Sequence, residues 1–538
     1  MTIKKTHIQI LLLWIFLVTV NLSGRSYFPI DETRYATVAW NMWLNGDYLV
    51  PYLNGIAYSH KPPLLFWLIN LGWGVFGVND WWPRLVPSLF ALASLLITRK
   101  IAAILWPEQA NIKDDASFIL LGSGLWVIYS TALMFDMLIA FFTVLGIWGL
   151  LIALHERALK GWLLFTLAIG GGLLAKGPTI FLQLLPVALL TYWWSDEKGL
   201  TARNWYLPIL YAVLGGILIA LAWAIPAGIH GGKEYQQAIF WGQTANRMVD
   251  SFAHNRPFWW YFPILPLLLF PWLLWGAFWK GLFNRDALRS EIGVRLCLAW
   301  LIPALATFSM ISGKQIHYIL PIFPAFALLI ARYSARNTSN SRYLLLPIAI
   351  SIFLLGLILL VIPSYANSHS NMAQWMQLIP QWLGWATIAT AALVYFLPQK
   401  SNSNVVSKLS IISIIVVTVL MYVVIHAAGN SYDVRPISKK LHELESKNIP
   451  VAYLGRYPGI YNFLGRLKQS PESVNGSTVA AWFTAHPDGR VIKYFNNLSD
   501  INLQEVEFAQ SQKGMAIAIL NHAQWQANKN RPSSNQGN

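Results

Sequence analysis

The feature that most limits what this chain can become is a series of apolar stretches, each about as long as a bilayer is thick. Thirteen candidates run near 7–23, 85–105, 116–135, 137–154, 161–177, 178–194, 206–228, 258–279, 292–311, 316–333, 343–363, 380–397 and 408–427. A helix crossing the hydrocarbon needs about 20 mostly apolar residues, and there it must satisfy its backbone polar groups internally. The pattern predicts an all-α polytopic membrane protein with about thirteen transmembrane helices. Two junctions are tight, Phe135/Asp136 and Lys176-Gly-Pro178, where one crossing passes into the next with almost no loop. Composition agrees. Only 12% of the 538 residues are charged and 56% are hydrophobic, against about 25% charged in a soluble protein. The 27 Trp and 22 Tyr suit the membrane interface. The basic start followed by His7 to Leu22 has the look of a signal peptide, but no small-residue cleavage site follows, so a retained first span is expected.

Orientation follows from Lys and Arg in short loops, which favour the cytoplasmic side. With the N-terminus in the cytoplasm, 18 basic residues fall inside and 9 outside. The net charge of +16 therefore reads as loop anchoring rather than nucleic-acid binding. The single cysteine, Cys297, excludes an intrachain disulfide. An odd number of spans puts the C-terminus outside. Residues 1–428 form the expected transmembrane domain, with a first outer loop at 24–84. Residues 429–538 are expected to form a small C-terminal α/β domain outside the membrane. Its elements are an amphipathic helix over Pro436–Lys447 and buried strands at Val451–Leu454 and Met515–Leu520, followed by a disordered Ser/Asn-rich tail.

Polar groups from five separate segments are expected on the outer face. The first loop holds Asp31-Glu-Thr-Arg-Tyr-Ala36 and Tyr58-Ser-His-Lys-Pro-Pro-Leu64. If Asp31 opens a short interfacial helix, Asp31 and Arg34 share a face one turn apart; the competing reading is an N-cap and a surface ion pair. Lys61-Pro-Pro is stiff and suited to holding a phosphate, while the alternative is snorkelling to lipid headgroups. Asp136 and Lys176 lie in apolar stretches, where ionisable groups are costly and usually functional; an exposed turn is the other reading of Asp136. Arg247, His254 and Arg256 lie in the loop at 230–257, and Lys314, His317 and Tyr318 in the turn after 311. For these the competing readings are solvated loop charges and a structural turn. Lys61, Lys176, Arg247, Arg256 and Lys314 together suggest an anion site, with Asp31 and Asp136 as neighbouring carboxylates. Cations that stabilise a departing phosphate, beside a carboxylate, are what glycosyl transfer from a phospholipid-linked sugar requires.

The residues resemble a known family. Asp31-Glu-x-Arg-Tyr-Ala, Asn45-Gly-Asp-Tyr, Leu53-Asn-Gly and Tyr58-x-x-Lys-Pro-Pro-Leu are similar to the first outer loop of the ArnT-like aminoarabinose transferases, within the wider protein-mannosyltransferase group. Asp136-Met, Leu174-Ala-Lys-Gly, Asn246-Arg-Met, His254-x-Arg-Pro-Phe-Trp-Trp-Tyr and Gly313-Lys-x-x-x-Tyr-x-Leu-Pro extend the likeness in order over residues 1–333. The resemblance implies the GT-C glycosyltransferase fold, with interfacial helices in the first outer loop and a C-terminal periplasmic domain in a bacterial inner membrane. It implies a polyprenyl-phosphate-linked sugar donor and lipid A, or a related envelope acceptor. Asp31 would be the catalytic carboxylate, supported by Asp136. Lys61, Lys176, Arg247 and Tyr318 would surround the carrier phosphate, with Arg34, Tyr58, Arg256 and Lys314 as further substrate-binding candidates. The family usually has Glu where this chain has His60; His60 with His254 could still bind a zinc ion, which imidazoles suit, but two ligands alone do not define a metal site. The alternatives are an O-glycosyltransferase acting on protein or glycan, and a lipid or glycan transporter. A transporter would place polar groups at the midplane and on both faces, whereas here they crowd one face.

Overall fold

The structure, a computed structural model, describes residues 5–156, 158–197, 199–242, 255–283, 291–337, 341–369, 373–398, 401–502, 506–512 and 514–529. The expected tail at 530–538 lies outside them, as do Arg247 and His254. From the N-terminus run α1 (Lys5–Gly24), α2 (Asp31–Asn45), the small hairpin β1 (Tyr52–Leu53) and β2 (Ile56–Ala57), and α3 (Leu64–Phe76). They are followed by α4 (Trp82–Leu105), α5 (Ala110–Leu121), α6 (Gly124–Tyr129), α7 (Asp136–His155), α8 (Leu159–Lys176) and α9 (Thr179–Leu189).

Among the described residues nine helices are long and apolar enough to cross a membrane: Thr6–Gly24, α4, α7, α8, Ala202–His230, Ile292–Met310, Ile316–Ala335, Arg342–Ser368 and Asn402–Ala427. They coincide with nine of the thirteen apolar stretches. The other four are helical but short or interrupted. The stretch at 116–135 divides into α5 and α6, and that at 178–194 into α9 and Thr191–Trp194. The one at 258–279 divides into Tyr261–Leu268, a 3-10 turn at Trp272–Leu274 and Gly276–Leu282, and the last is only Gln381–Tyr395. Pro271 explains one break, since proline has no N–H and disfavours helical geometry in the residue before it. The breaks complement one another: the backbone N–H of Gly124, at the start of α6, donates to the Phe270 carbonyl at 2.9 Å. Irregular backbone at membrane depth is tolerated where protein satisfies it.

The antiparallel pair α7 and α8 forms the centre of the bundle. It packs closely because a Cβ on Gly149 would lie 2.8 Å from the Gly161 carbonyl oxygen, and one on Gly161 2.3 Å from the Ala153 nitrogen. This pairing brings the start of α7 beside the end of α8.

After the last long helix the chain forms a five-stranded mixed sheet. Its strands are β3 (Val451–Leu454), β4 (Glu472–Val474), β5 (Arg490–Phe495), β6 (Phe508–Gln512) and β7 (Met515–Leu520), in the order β4-β3-β5-β7-β6. β3 is parallel to β4 and β5; β7 is antiparallel to β5 and β6. The amphipathic helix is present over Arg435–Ser446, and β3 and β7 fall where expected. The partly exposed β4 and β6 carry little apolar signal. This sheet region sits on the loop at 24–84: Trp40 donates from Nε1 to the Leu467 carbonyl at 2.9 Å, and Asn54 from Nδ2 to that of Tyr457 at 2.7 Å. The loop motifs and the C-terminal region therefore lie at the same end of the bundle, as an odd number of crossings requires. Helix α2 is largely buried between α3 and the C-terminal region.

Glu32 fastens α2 to the bundle. Its buried carboxylate accepts from Arg25 Nη1 at 2.5 Å and Nη2 at 2.8 Å, from the Phe28 N–H at 2.6 Å and from the Leu133 N–H at 2.7 Å. Arg25 also donates to the Thr131 carbonyl at 2.9 Å. Burial alone would push the Glu32 carboxyl up, but Arg25 and these donors hold it below the usual carboxylate range. A depressed folded-state value means that the stabilisation is complete above the ordinary carboxylate range. It is lost as pH falls through that lowered value. Replacing Glu32 with Ala leaves Arg25 charged and buried, which should cost about 3–5 kcal/mol. Thermal unfolding of the purified protein near neutral pH measures the loss. The gap between wild type and Glu32→Ala should shrink only at strongly acid pH.

Candidate active site

Asp136 is the first residue of α7 and Lys176 the last of α8. An acid at a helix N-terminus and a base at a C-terminus each complement the helix dipole. Gly177, with φ of +73°, lets the chain reverse directly after Lys176, and Pro178 caps α9. The tight junctions seen in the sequence thus place two charges at one mouth. Lys176 Nζ lies 2.5 Å from Asp136 Oδ1, and the Asp136 side chain is only 2% exposed.

Other groups gather around this pair. Lys176 Nζ stands 4.9 Å from the Tyr318 ring centroid. Lys61, half-buried, projects its Nζ over the Phe135 ring at 5.8 Å. It lies within electrostatic reach of Asp136, so it faces the ion pair rather than only lipid headgroups. His317 presents its ring edge-on to Tyr318 at 4.9 Å, with the Tyr129 hydroxyl 3.4 Å from its Nδ1. Asp136, Lys176, Lys61 and Asp31 all act electrostatically on the buried His317. Asp31, exposed at the start of α2, lies within electrostatic reach of His317 and one turn from buried Tyr35. Burial pushes the Tyr35 phenol well above its ordinary range, and Asp31, Tyr58 and Asp136 push it the same way, so Tyr35 remains a neutral hydroxyl. Tyr58 is buried beside His60, ring centroids 5.3 Å apart.

The remaining candidates stand differently. Among the described residues neither Asp31 nor Arg34 has an oppositely charged side chain within ion-pairing distance, so the i, i+3 pair is not formed. It is the neighbouring Glu32 that is paired. The Lys314 ammonium donates to the Arg256 carbonyl at 2.9 Å and to that of Ile311 at 2.6 Å. It binds two loops together and is not presented to an anion. Arg256 is exposed, with its guanidinium 5.8 Å from the Trp260 ring. His60 is exposed, His254 lies outside the described residues, and no three His, Cys, Asp or Glu side chains converge among the described residues. The donors on view do not make a zinc site around His60.

Sequence reasoning missed Tyr129, Tyr35 and the Glu32–Arg25 pair as parts of the site. Tyr129 and Tyr35 carry no signal beyond being aromatic residues near an interface. Glu32 sits inside the Asp31-Glu-x-Arg motif, where its neighbour drew the attention.

These elements define a class, a multi-span membrane protein of the GT-C glycosyltransferase fold. The structure is similar to that of ArnT from Cupriavidus metallidurans bound to undecaprenyl phosphate, with a TM-score of 0.74 at 17% identity over 96% of this chain and 98% of that one. The family pattern described as dolichyl-phosphate-mannose-protein mannosyltransferase matches residues 60–230. A Pseudomonas aeruginosa undecaprenyl phosphate-alpha-4-amino-4-deoxy-L-arabinose arabinosyl transferase is 30% identical over 444 residues, 76% of this chain and 78% of the relative. The chain belongs to this ArnT-like family. The Photorhabdus laumondii relative of the same name is 28% identical, over 69% of this chain and 66% of its own length. A relative from Pectobacterium carotovorum matches over 59% of its length.

The Asp136–Lys176 pair should behave as one unit. Lys176→Met leaves an unpaired buried carboxylate and should destabilise the protein by about 3–5 kcal/mol. Adding Asp136→Asn should recover at least about 1 kcal/mol of that loss. A double-mutant cycle on thermal unfolding in detergent measures the coupling, and additive effects would show the two side chains to be independent.

Proposed function

We propose that this protein transfers a sugar from a polyprenyl-phosphate carrier to lipid A or a related envelope acceptor, at the periplasmic face of a bacterial inner membrane. The observation that carries the reading is the buried Asp136–Lys176 pair, with Lys61 and Tyr318 around it and Asp31 at the same mouth. The names of the relatives support the donor class. The surplus of basic residues in the opposite loops supports a cytoplasmic N-terminus and an outward-facing site.

The reaction is a displacement at the anomeric carbon with inversion. The acceptor oxygen forms the new bond to that carbon while the bond to the carrier phosphate oxygen breaks, and the phosphate leaves with the electron pair. A sugar-linked phosphodiester carries a single negative charge, and the released monoester carries about −1.5 to −2 near neutral pH. Charge therefore grows on the carrier phosphate as the bond breaks. Lys61 and Lys176 stabilise it, and preorganised cations in a site shielded from water act strongly on developing charge. Tyr318 lines the same place, and Arg247 is the further cation proposed there. Asp136 keeps the Lys176 ammonium fixed in charge and position. Asp31 orients the acceptor and, for a hydroxyl acceptor, takes its proton. A phosphate acceptor is already anionic and requires only orientation.

Asp31→Asn should lower transfer at least about tenfold, through lost orientation or lost base catalysis. The measurement is sugar transfer in membranes supplied with carrier-linked donor, and unchanged transfer would remove Asp31 from the mechanism. Lys61→Ala should weaken binding of undecaprenyl phosphate by about tenfold, the loss of one charge-assisted contact. Titration of the purified protein reads this directly, and unaltered binding would return Lys61 to a headgroup-facing role. Mass spectrometry of lipid A and carrier lipids from cells with and without the protein identifies the sugar and the acceptor.

A further inference from the structure

Phe463 is a C-terminal residue embedded in the core of the first outer loop. It lies in the short helix Asn462–Gly465 and is 1% exposed. Its ring stacks on Trp73 of α3 at 5.1 Å and meets Tyr27 and Trp40 edge-on at 5.6 and 6.4 Å. The Arg466 guanidinium covers its far side at 4.2 Å and pairs with Asp80 of the loop.

The segment carrying Phe463 is braced from both directions. Tyr457 donates to Asn462 at 2.7 Å, Asn462 to Ser470 at 2.8 Å, and Ser470 to Asn54 of the outer loop at 3.1 Å. Trp40 Nε1 donates to the Leu467 carbonyl at 2.9 Å.

The apolar cluster that Phe463 closes also includes Tyr35, Phe135 and Ala175. Phe135 directly precedes Asp136, Ala175 directly precedes Lys176, and Tyr35 is one turn from Asp31. Tyr35 and Phe135 touch edge-on at 5.0 Å. One packed core thus holds the backbone beside each of the three charged groups. Helix α2 is fixed at two points along its length. Glu32 pins its first turn, and Trp40 meets Phe463 eight residues on, about 12 Å away along the axis. Helix α3 also supports it, with Asn70 Nδ2 donating to the Ala39 carbonyl at 3.1 Å, so Phe463 adds the contact that α2 makes with the C-terminal region.

We propose that Phe463 is a positioning residue for the transfer reaction: by filling the Tyr27–Trp40–Trp73 pocket, the C-terminal region holds α2 so that Asp31 faces the Asp136–Lys176 pair. This rests on the transferase reading only for its effect on rate, since the holding of α2 is a statement about geometry. Phe463 itself touches no substrate. Its loss should affect turnover more than binding, because Lys61 and Tyr318 are held by other elements and Lys176 is also anchored by its ion pair with Asp136.

The test uses the full chain in lipid nanodiscs, with Phe463→Ala, the conservative Phe463→Leu and Asn54→Ala as a milder second variant. Two measurements are made. The first is steady-state transfer from a polyprenyl-phosphate-linked sugar. Phe463→Ala should lower turnover about tenfold or more, as a misplaced reacting group does, with the donor KM changed less than about threefold. Phe463→Leu should recover most of the turnover. The second measurement is the distance between spin labels at Asn45→Cys, the exposed end of α2, and Met310→Cys, which is 84% exposed at the end of its helix. The native Cys297 is buried and does not compete for label. Phe463→Ala should broaden that distance distribution, Asn54→Ala should broaden it less, and Phe463→Leu should leave it narrow. A narrow distribution in Phe463→Ala overturns the proposal, as does full turnover in that variant. Turnover and donor binding falling together, without rescue by Phe463→Leu, also overturns it and returns Phe463 to a purely structural role. If the wild type makes no glycosylated product, the transferase reading fails, and the label distances still decide whether Phe463 holds α2.

Discussion

The Glu32 carboxylate is the point on which the geometry of the site depends. It accepts four hydrogen bonds, two from Arg25 and one each from the backbone of Phe28 and Leu133. Those partners belong to three parts of the chain: the exit from the first span, the start of α2, and the turn that leads into α7. A buried carboxylate with fewer donors would be destabilising; with its donors in place it fixes three backbones relative to one another. Asp31 is its neighbour in sequence, and Leu133 lies three residues before Asp136. The distance between the two carboxylates of the site is therefore set by a third that takes no part in the chemistry.

Around that fixed point the charges are placed by helix ends. Asp136 begins one helix and Lys176 ends its antiparallel partner, so both sit where the local dipole favours them. Close packing of α7 on α8, through Gly149 and Gly161 at one end and Gly171 against Phe142 nearer the charges, brings the two helices together. Lys61 arrives from the opposite direction on a proline-stiffened turn, and Tyr318 on a 3-10 turn opening the span Ile316–Ala335. His317 lies between Tyr129 and Tyr318, within electrostatic reach of these charges.

Much of this was legible in the sequence because lipid imposes strict rules. Long apolar runs gave the helices, and an acid and a base inside apolar runs gave Asp136 and Lys176. Where prolines or short segments break a crossing, as at Pro271, length alone overstated the continuity of the helix. Lys314 was misread by its charge: its ammonium closes a turn by binding two carbonyls, a use that a sequence cannot distinguish from anion binding. A surface ion pair was the competing reading of Asp31 and Arg34 because i, i+3 spacing permits one, but the carboxylate that forms a pair is Glu32, seven residues from Arg25. The strands at 472–474 and 508–512 were missed because a small sheet needs only a few apolar residues on its inner face, and the central strand at 490–495 was missed although its residues are buried. The docking of Phe463 into a loop nearly 400 residues away leaves no local pattern at all.

The length of α8 has a consequence for where the protein can work. The helix has 18 residues and so spans about 27 Å, slightly less than the roughly 30 Å of a typical hydrocarbon core. Because Gly177 turns the chain back at once, no flexible linker lets the ammonium of Lys176 rise or sink. The level of that charge in the bilayer is set by a count of residues, and so is its height relative to a phosphate floating at the headgroups. Longer acyl chains would carry the phosphate above the ammonium or force the surrounding leaflet to thin. On the proposed reading, bilayer thickness then bears on how Lys176 meets the carrier phosphate.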